Sequence, residues 1–266
     1  MSKQPSLFVA HGAPLLAVQQ DSYTAFLEKY ADALPERPAA IVSITAHWDV
    51  PGQLISRREL NGTYHDFGGF PEPLYKLRYD APGDIGLSDR IAELLASAGV
   101  ASSFDDSRGL DHGTWVPLLR MFPNADIPVV ALSVHSRGTP EHQYRIGRAL
   151  EPLRNDNILI VASGGLVHNF AYLEWDRGMG VEPQGVPWAM EFDEWIRERV
   201  EGWRLGELMA YDRLAPHASA AVPPRAREHF VPLFYAMGAA DSTRQAERKY
   251  QGYQVGSLSL NFYEFY

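Results

Sequence analysis

The sequence predicts an α/β fold, in which a mostly buried central sheet is flanked by helices. Two patterns carry the prediction. Short Val- and Ile-rich runs have the length and composition of strands covered on both faces. Stretches with apolar residues at helical spacing lie between them, and that alternation packs helices onto a sheet. Size agrees with this reading. A chain of 266 residues with 45% hydrophobic and 21% charged side chains buries roughly three quarters of the surface it exposes when unfolded. One large core of that kind needs no covalent staple, and a disordered chain is excluded.

The predicted strands are Ser6–Ala10 (SLFVA), 39–46 (AAIVSITA), 127–134 (IPVVALSV) and 157–162 (NILIVA). Residues 21–34 form the first predicted helix, with Tyr23, Phe26, Leu27, Tyr30 and Leu34 on one face. Residues 87–98 form the second, its apolar stripe made by Ile91, Leu94 and Leu95. A third opens at Thr139-Pro140-Glu141, an N-cap, a proline at the first helical position and an early acid, and runs to about Arg154. The fourth, 189–205, places Phe192, Trp195, Ile196 and Val200 at helical spacing. Residues 256–266 alternate weakly and read as a late edge strand. The Gly- and Pro-rich stretches 61–84 and 176–187 read as loops and not as linkers, so a single domain over residues 1–266 is expected.

Composition narrows the function. The chain has no cysteine, which excludes disulfides, thiolate nucleophiles and iron–sulfur clusters and leaves any metal to His, Asp, Glu or water. Lys and Arg number 24 against 33 Asp and Glu, a formal net charge of −9, with no basic stripe to bind nucleic acid. The first ten residues lack the basic start and apolar run of a signal peptide. No apolar run approaches the ~20 residues that cross a bilayer. A cytoplasmic protein without nucleic-acid or membrane partners is the expectation.

The nine histidines carry the chemical information. The first strand runs into His11-Gly12-Ala13-Pro14 and the second into Ala46-His47-Trp48. The 157–162 run continues into Ser163-Gly164-Gly165-Leu166-Val167-His168-Asn169. Open α/β sheets bind ligands just beyond the carboxyl ends of their strands, so His11, His47 and His168 can converge there as a metal site. Gly12, Gly164 and Gly165 permit tight turns and close backbone approach. His112, in Asp111-His112-Gly113-Thr114-Trp115, and His229, in Glu228-His229-Phe230-Val231-Pro232-Leu233, each stand at the start of a predicted helix. A lone histidine at a strand end is most often a packing or hydrogen-bonding residue. His135 ends the 127–134 strand and obeys the same positional rule, so position alone does not separate a ligand from a bystander. Gly164-Gly165 lacks the phosphate-loop pattern, and Ser163 lacks the GxSxG of a nucleophile elbow.

Six motifs follow one another along nearly the whole chain. They are HGAP from His11, SITAHW ending at Trp48, HDFGGFP from His65 to Pro71, DHGTW from Asp111, SGGLVHN ending at Asn169 and EHFVPL from Glu228, with GSLSL from Gly256 closing the series. Together they resemble the class III extradiol ring-cleaving dioxygenases of the 4,5-DOPA dioxygenase type (LigB-like). The resemblance implies a non-haem metal centre that inserts O2 into a catechol ring beside its hydroxyls, giving a ring-opened semialdehyde. DOPA-like or other small carboxylated catechols are the substrates it implies. It implies His11, His47 and His229 as metal ligands, and His168 as either an acid/base residue or a fourth ligand. His112 corresponds to a histidine facing oxygen or substrate, and His65 to a loop bordering the substrate pocket. Phe67, Phe70, Trp48 and Trp115 are candidates for the aromatic wall, and Asn169 for anchoring the ligand or the loop. His135, His142 and His217 match no required position and are read as structural. Arg57, Arg58, Arg78, Arg137 and Arg225 remain equal candidates for a substrate carboxylate.

The third ligand departs from the wider class III pattern, which has a carboxylate where this chain has His229 preceded by Glu228. Neighbours on a helix point about 100° apart, so only one of the two can face the metal, and the DOPA-type resemblance favours His229. Fe(II) is the working metal the resemblance implies. Three imidazoles also make a good zinc site, so Zn(II) can occupy the isolated protein. Two other readings fit the same residues: a three-His zinc hydrolase of a small ester or amide, and a non-catalytic metal-binding interaction protein on the same fold. The presence of both His112 and His168 favours an enzyme whose partners are a small catechol and O2. Oligomeric state is left open.

Overall fold

The computed structural model describes residues 3–266; Met1 and Ser2, the start of the segment read for a signal peptide, lie outside the described residues. Among the described residues eight strands form one sheet: β1 Ser6–Ala10, β2 Ala40–Asp49, β3 Leu54–Ser56, β4 Ser103–Asp105, β5 Val129–Val134, β6 Ile158–Gly164, β7 Ala246–Gln254 and β8 Leu258–Phe265. Their order from edge to edge is β4-β3-β5-β2-β6-β1-β8-β7. Four of the five strands predicted from sequence are the central ones, β5-β2-β6-β1, and they pair with one another in parallel. Parallel strands share one direction, so their carboxyl ends lie along one border of the sheet. Every residue of β1, β5 and β6 is buried, which is why those runs read as continuously apolar.

The helices are α1 Ser22–Tyr30, α2 Glu72–Lys76, α3 Ile85–Ser97, α4 His112–Met121, α5 Pro140–Leu150, α6 Pro187–Glu201, α7 Leu205–Met209, α8 Tyr211–Leu214, α9 Ala218–Ala221 and α10 Pro232–Gly238. They divide between the two sheet faces, and the strands serve both by alternation. Phe8, Val42, Ile44 and Ile160 point to the face covered by Ile91 of α3, Ile146 of α5, Phe192 of α6 and Phe234 of α10. Leu7, Val9, Ile41 and Val161 point to the other, against Tyr23 and Leu27 of α1 and Trp115 and Leu118 of α4. Local chemistry sets the helix starts. Asp21 and Thr24 form a reciprocal capping box at α1, and Thr139 caps α5 with Pro140 following. Among the described residues no helix is long and apolar enough to cross a membrane.

The C-terminal region differs from expectation. The late strand, β8, is not at an edge: it lies between β1 and β7, antiparallel to both. The edge belongs to β7, whose charged sequence AERKYQGYQ carries no strand signal of its own. The weak alternation of β8 misled because its polar residues are buried and hydrogen-bonded to distant segments. Asn261 Nδ2 donates to the Asp193 carboxylate at 2.9 Å, and Ser259 Oγ accepts from Val167 N at 3.0 Å. The predicted helices differ at their ends. The first closes at Tyr30 into a 3-10 turn, Ala31–Ala33, and the third passes into another, Glu151–Asp156.

Candidate metal centre

β1 ends at Ala10 and presents His11 as the next residue. β2 runs on past its last pair with β6, Thr45–Ser163, and its pairing with β5 is interrupted between Ile44 and Asp49, which lifts His47 out of the ladder. His229 arrives from a different place than expected. Its segment is a turn, and α10 begins only at Pro232. The outcome for the Glu228–His229 pair nevertheless holds, since one side chain faces the centre and the other does not. His11 Nε2 and His47 Nε2 stand 3.0 Å apart, and His47 Nε2 and His229 Nε2 3.3 Å.

Each of these imidazoles has its other nitrogen beside an oxygen. His11 Nδ1 lies 2.8 Å from Ser163 Oγ, and that hydroxyl donates its own proton to the Gly113 carbonyl. Ser163 must therefore accept from His11, which carries its proton on Nδ1 and a lone pair on Nε2. The Gly113 carbonyl is available because residue 117 of α4 is proline, with no N–H to close the helical bond four residues back. His229 Nδ1 lies 3.2 Å from the Glu228 carboxylate. His47 Nδ1 lies 3.2 Å from Asp66 Oδ2, while Asp66 Oδ1 takes the ring Nδ1 and the backbone N–H of His112, both at 2.9 Å. Three Nε2 lone pairs thus face one point with no proton to share among them. That arrangement suits a cation: nitrogens on one tetrahedral metal at 2.0–2.1 Å stand about 3.3 Å apart, and outward Nδ1–H bonds are the usual support of metal-binding histidines.

Burial, then the neighbouring imidazoles, holds His11 and His47 well below the usual histidine range. Burial and His229 do the same for His168, so these three rings are neutral at pH 7. Asp66 is pushed up by burial and pulled down further by its bonds to His112, and its carboxyl ends below the usual range. His168 stacks on His229 with ring centres 3.5 Å apart and planes within 5°. His112 stands 3.9 Å from the His47 ring centre. The Asp111 carboxylate caps α4, accepts from Thr45 Oγ1 at 2.7 Å and from Arg108 at 3.0 Å, and so fixes where His112 begins its helix. Gly164 is required by contact: a Cβ there would sit 2.1 Å from the His229 carbonyl. That carbonyl also accepts from Gly165 N at 2.8 Å.

A cavity of about 510 Å³ opens above the rings and is lined by His47, His112, His168 and His229, with Phe67 and Phe70 among its walls. Four expected pocket residues lie elsewhere, Trp115 among them, fully buried in the core. Trp48 is 3% exposed in the core, with the Arg108 guanidinium over its ring. The His65 ring bonds the Leu77 carbonyl at 3.1 Å and packs edge-on to Trp115, so it braces the loop behind Phe67. Asn169 donates to the Ala220 carbonyl and caps a short turn, which is the loop-anchoring alternative of its two expected roles. Asp66, Arg108 and the Ser163–Gly113–Pro117 relay were missed by the sequence reading. The one signal available was Asp66's place inside HDFGGFP, between two residues that were singled out.

The remaining histidines stand apart from the centre. His142 accepts from Arg145 on the surface of α5, and His217 pairs with Glu191 at 2.9 Å. His135 N accepts no role there either; it donates to Tyr235 Oη at 3.3 Å, with the His135 carbonyl held by Gln143. His135→Ala is expected to keep kcat/KM within about twofold and metal content unchanged, with at most ~1 kcal/mol lost in a thermal melt; loss of metal would show that the cluster extends further than the distances indicate.

The profile of the catalytic LigB subunit of aromatic ring-opening dioxygenase matches residues 5–263. The chain belongs to the LigB family. It is 38% identical over 264 residues to a Beta vulgaris protein named 4,5-DOPA dioxygenase extradiol, covering 98% of this chain and 96% of that one. A protein of the same name from Escherichia coli K12 is 36% identical, with 97% and 93% covered. A crystal structure of an uncharacterized Escherichia coli K12 protein superposes with a TM-score of 0.80 at 33% identity, over 99% of this chain and all of the other. The LigB member described here therefore has the α/β fold predicted for it, and its family is that of aromatic ring-opening dioxygenases.

Proposed function

We propose that this LigB protein is a metal-dependent extradiol dioxygenase acting on a catechol, with Fe(II) as its working metal. One observation carries the reading: three Nε2 atoms converge with every Nδ1 turned toward an oxygen, beside two further histidines in the same cavity. The names of the relatives, dioxygenases of a catechol, support the same substrate class. His11, His47 and His229 would hold the iron. Bound Fe(II) supplies a redox-active centre with open positions at which a catechol and O2 are brought together.

The chain's own residues do the rest. His168, neutral and on the cavity wall, takes a catechol hydroxyl proton onto its ring and later returns it. It lies outside the three-nitrogen cluster, which favours the acid/base role over that of fourth ligand. His112 offers Nε2 to the cavity while Asp66 holds its Nδ1. Held in that orientation beside the Asp66 carboxylate, His112 is placed to donate a ring hydrogen bond to negative charge developing on oxygen. Phe67 and Phe70 keep water from the ring as it opens.

The test is reconstitution of metal-stripped protein under anaerobic conditions with Fe(II) or Zn(II), followed by O2 uptake with catechol and L-DOPA. Uptake with a coloured ring-opened product is expected with iron alone, since zinc has no redox chemistry. No uptake with any catechol despite stoichiometric iron would overturn the proposal and favour zinc-dependent hydrolysis.

A further inference from the structure

We infer that this cavity takes catechols with an uncharged, apolar ring substituent in preference to catechols bearing a carboxylate. The inference rests on the dioxygenase reading and departs from the carboxylated substrates that the sequence resemblance implied. The histidines form one side of the cavity, and a catechol held by its oxygens there directs its substituent toward the remaining walls. Those walls are Leu15, Phe67, Phe70, Phe170, Trp175 and Met179. Among the described residues no Lys, Arg, Asp or Glu lines the cavity.

The five arginine candidates for a carboxylate are all elsewhere. Arg57 pairs with Asp89 at 2.8 Å, and Arg58 donates to the Ser107 carbonyl at 2.7 Å. Arg137 and Arg225 line a separate cleft with Arg227, and Arg78 is exposed outside the cavity lining. A carboxylate placed among these walls loses its hydration and meets no lysine or arginine, which costs far more than burying hydrocarbon of the same size. The chain's formal charge of −9 adds long-range repulsion of an anion. At about 510 Å³ the space exceeds what a bare dihydroxybenzene ring fills, so a short substituent is needed to displace the remaining water.

The matched pair that isolates this effect is 4-propylcatechol against 3-(3,4-dihydroxyphenyl)propionate, which differ by a terminal methyl in place of a carboxylate. With Fe(II)-loaded protein, kcat/KM for 4-propylcatechol is expected to exceed that of the acid by about tenfold or more. Each methylene from catechol to 4-ethyl- and 4-propylcatechol adds about fourfold. Calorimetry on Zn(II)-loaded protein, which binds without turnover, is expected to give Kd values in the same order. Phe170 is 65% exposed, so Phe170→Arg leaves the core alone, and it is expected to narrow the preference for 4-propylcatechol at least fivefold. Equal or better binding and turnover of the acid by the unsubstituted protein, or a preference that Phe170→Arg does not move, would overturn the inference. Turnover of neither compound with iron overturns the dioxygenase reading itself, a different result from turnover of both with the wrong preference.

Discussion

Asp66→Asn is expected to weaken metal binding about 10- to 100-fold while leaving the fold intact. The carboxylate accepts from His112 Nδ1 at 2.9 Å, and its other oxygen lies 3.2 Å from His47 Nδ1. An amide of the same shape has only one accepting atom. If its NH2 faces His47, that ring must move its proton to Nε2, the nitrogen aimed at the cluster, and its lone pair is lost to the metal. It cannot face His112, because the oxygen there also accepts the His112 backbone N–H at 2.9 Å, a bond an NH2 cannot make. His47 is therefore the ring that loses its present state. The measurement is metal content after dialysis against a competing chelator, with a thermal melt to confirm folding. Full retention of metal together with unchanged turnover would show that Asp66 does not set these tautomers.

The second large effect is expected from His168→Ala, which should lower kcat by about 100- to 10,000-fold and leave metal stoichiometry unchanged. The ring lies flat against His229 at 3.5 Å but outside the cluster formed by His11, His47 and His229. Its removal takes a proton carrier from the cavity and leaves all three converging nitrogens with their supports. Loss of most of the metal in this variant would make His168 a ligand. Retention of both metal and turnover would move the proton transfer to His112.

The central strands were legible in the sequence because burial on both faces writes itself locally. A strand such as Ser6–Ala10 or Ile158–Gly164 has no solvent side, so every position is apolar or small and the run is unmistakable. Charged β7 was not legible, because an edge strand is specified by its partner β8 and not by its own composition. The buried polar residues of β8 were read as solvent-facing for the complementary reason: Asn261 Nδ2 donates to Asp193, 68 residues away in the chain.

The same division runs through the metal centre. His11, His47, His112, His168 and His229 could be named from sequence because strand ends and motif order mark them. Trp48, His65 and Asn169 stand in the same motifs, and only packing shows that they support the site without lining its cavity.

By itself the sequence determined the family, the buried central strands and the histidines proposed to carry the chemistry, because these depend on residue type and near neighbours in the chain. Tertiary structure alone decided which nitrogen each histidine presents, since a tautomer is set by the acceptor on the far side of the ring. Those acceptors are Ser163, Asp66 and Glu228. The first, on β6, is itself oriented by a carbonyl that Pro117 leaves free on α4. Tertiary structure also decided the character of the cavity, because apolar walls from four separated segments come together only when the strands lie side by side.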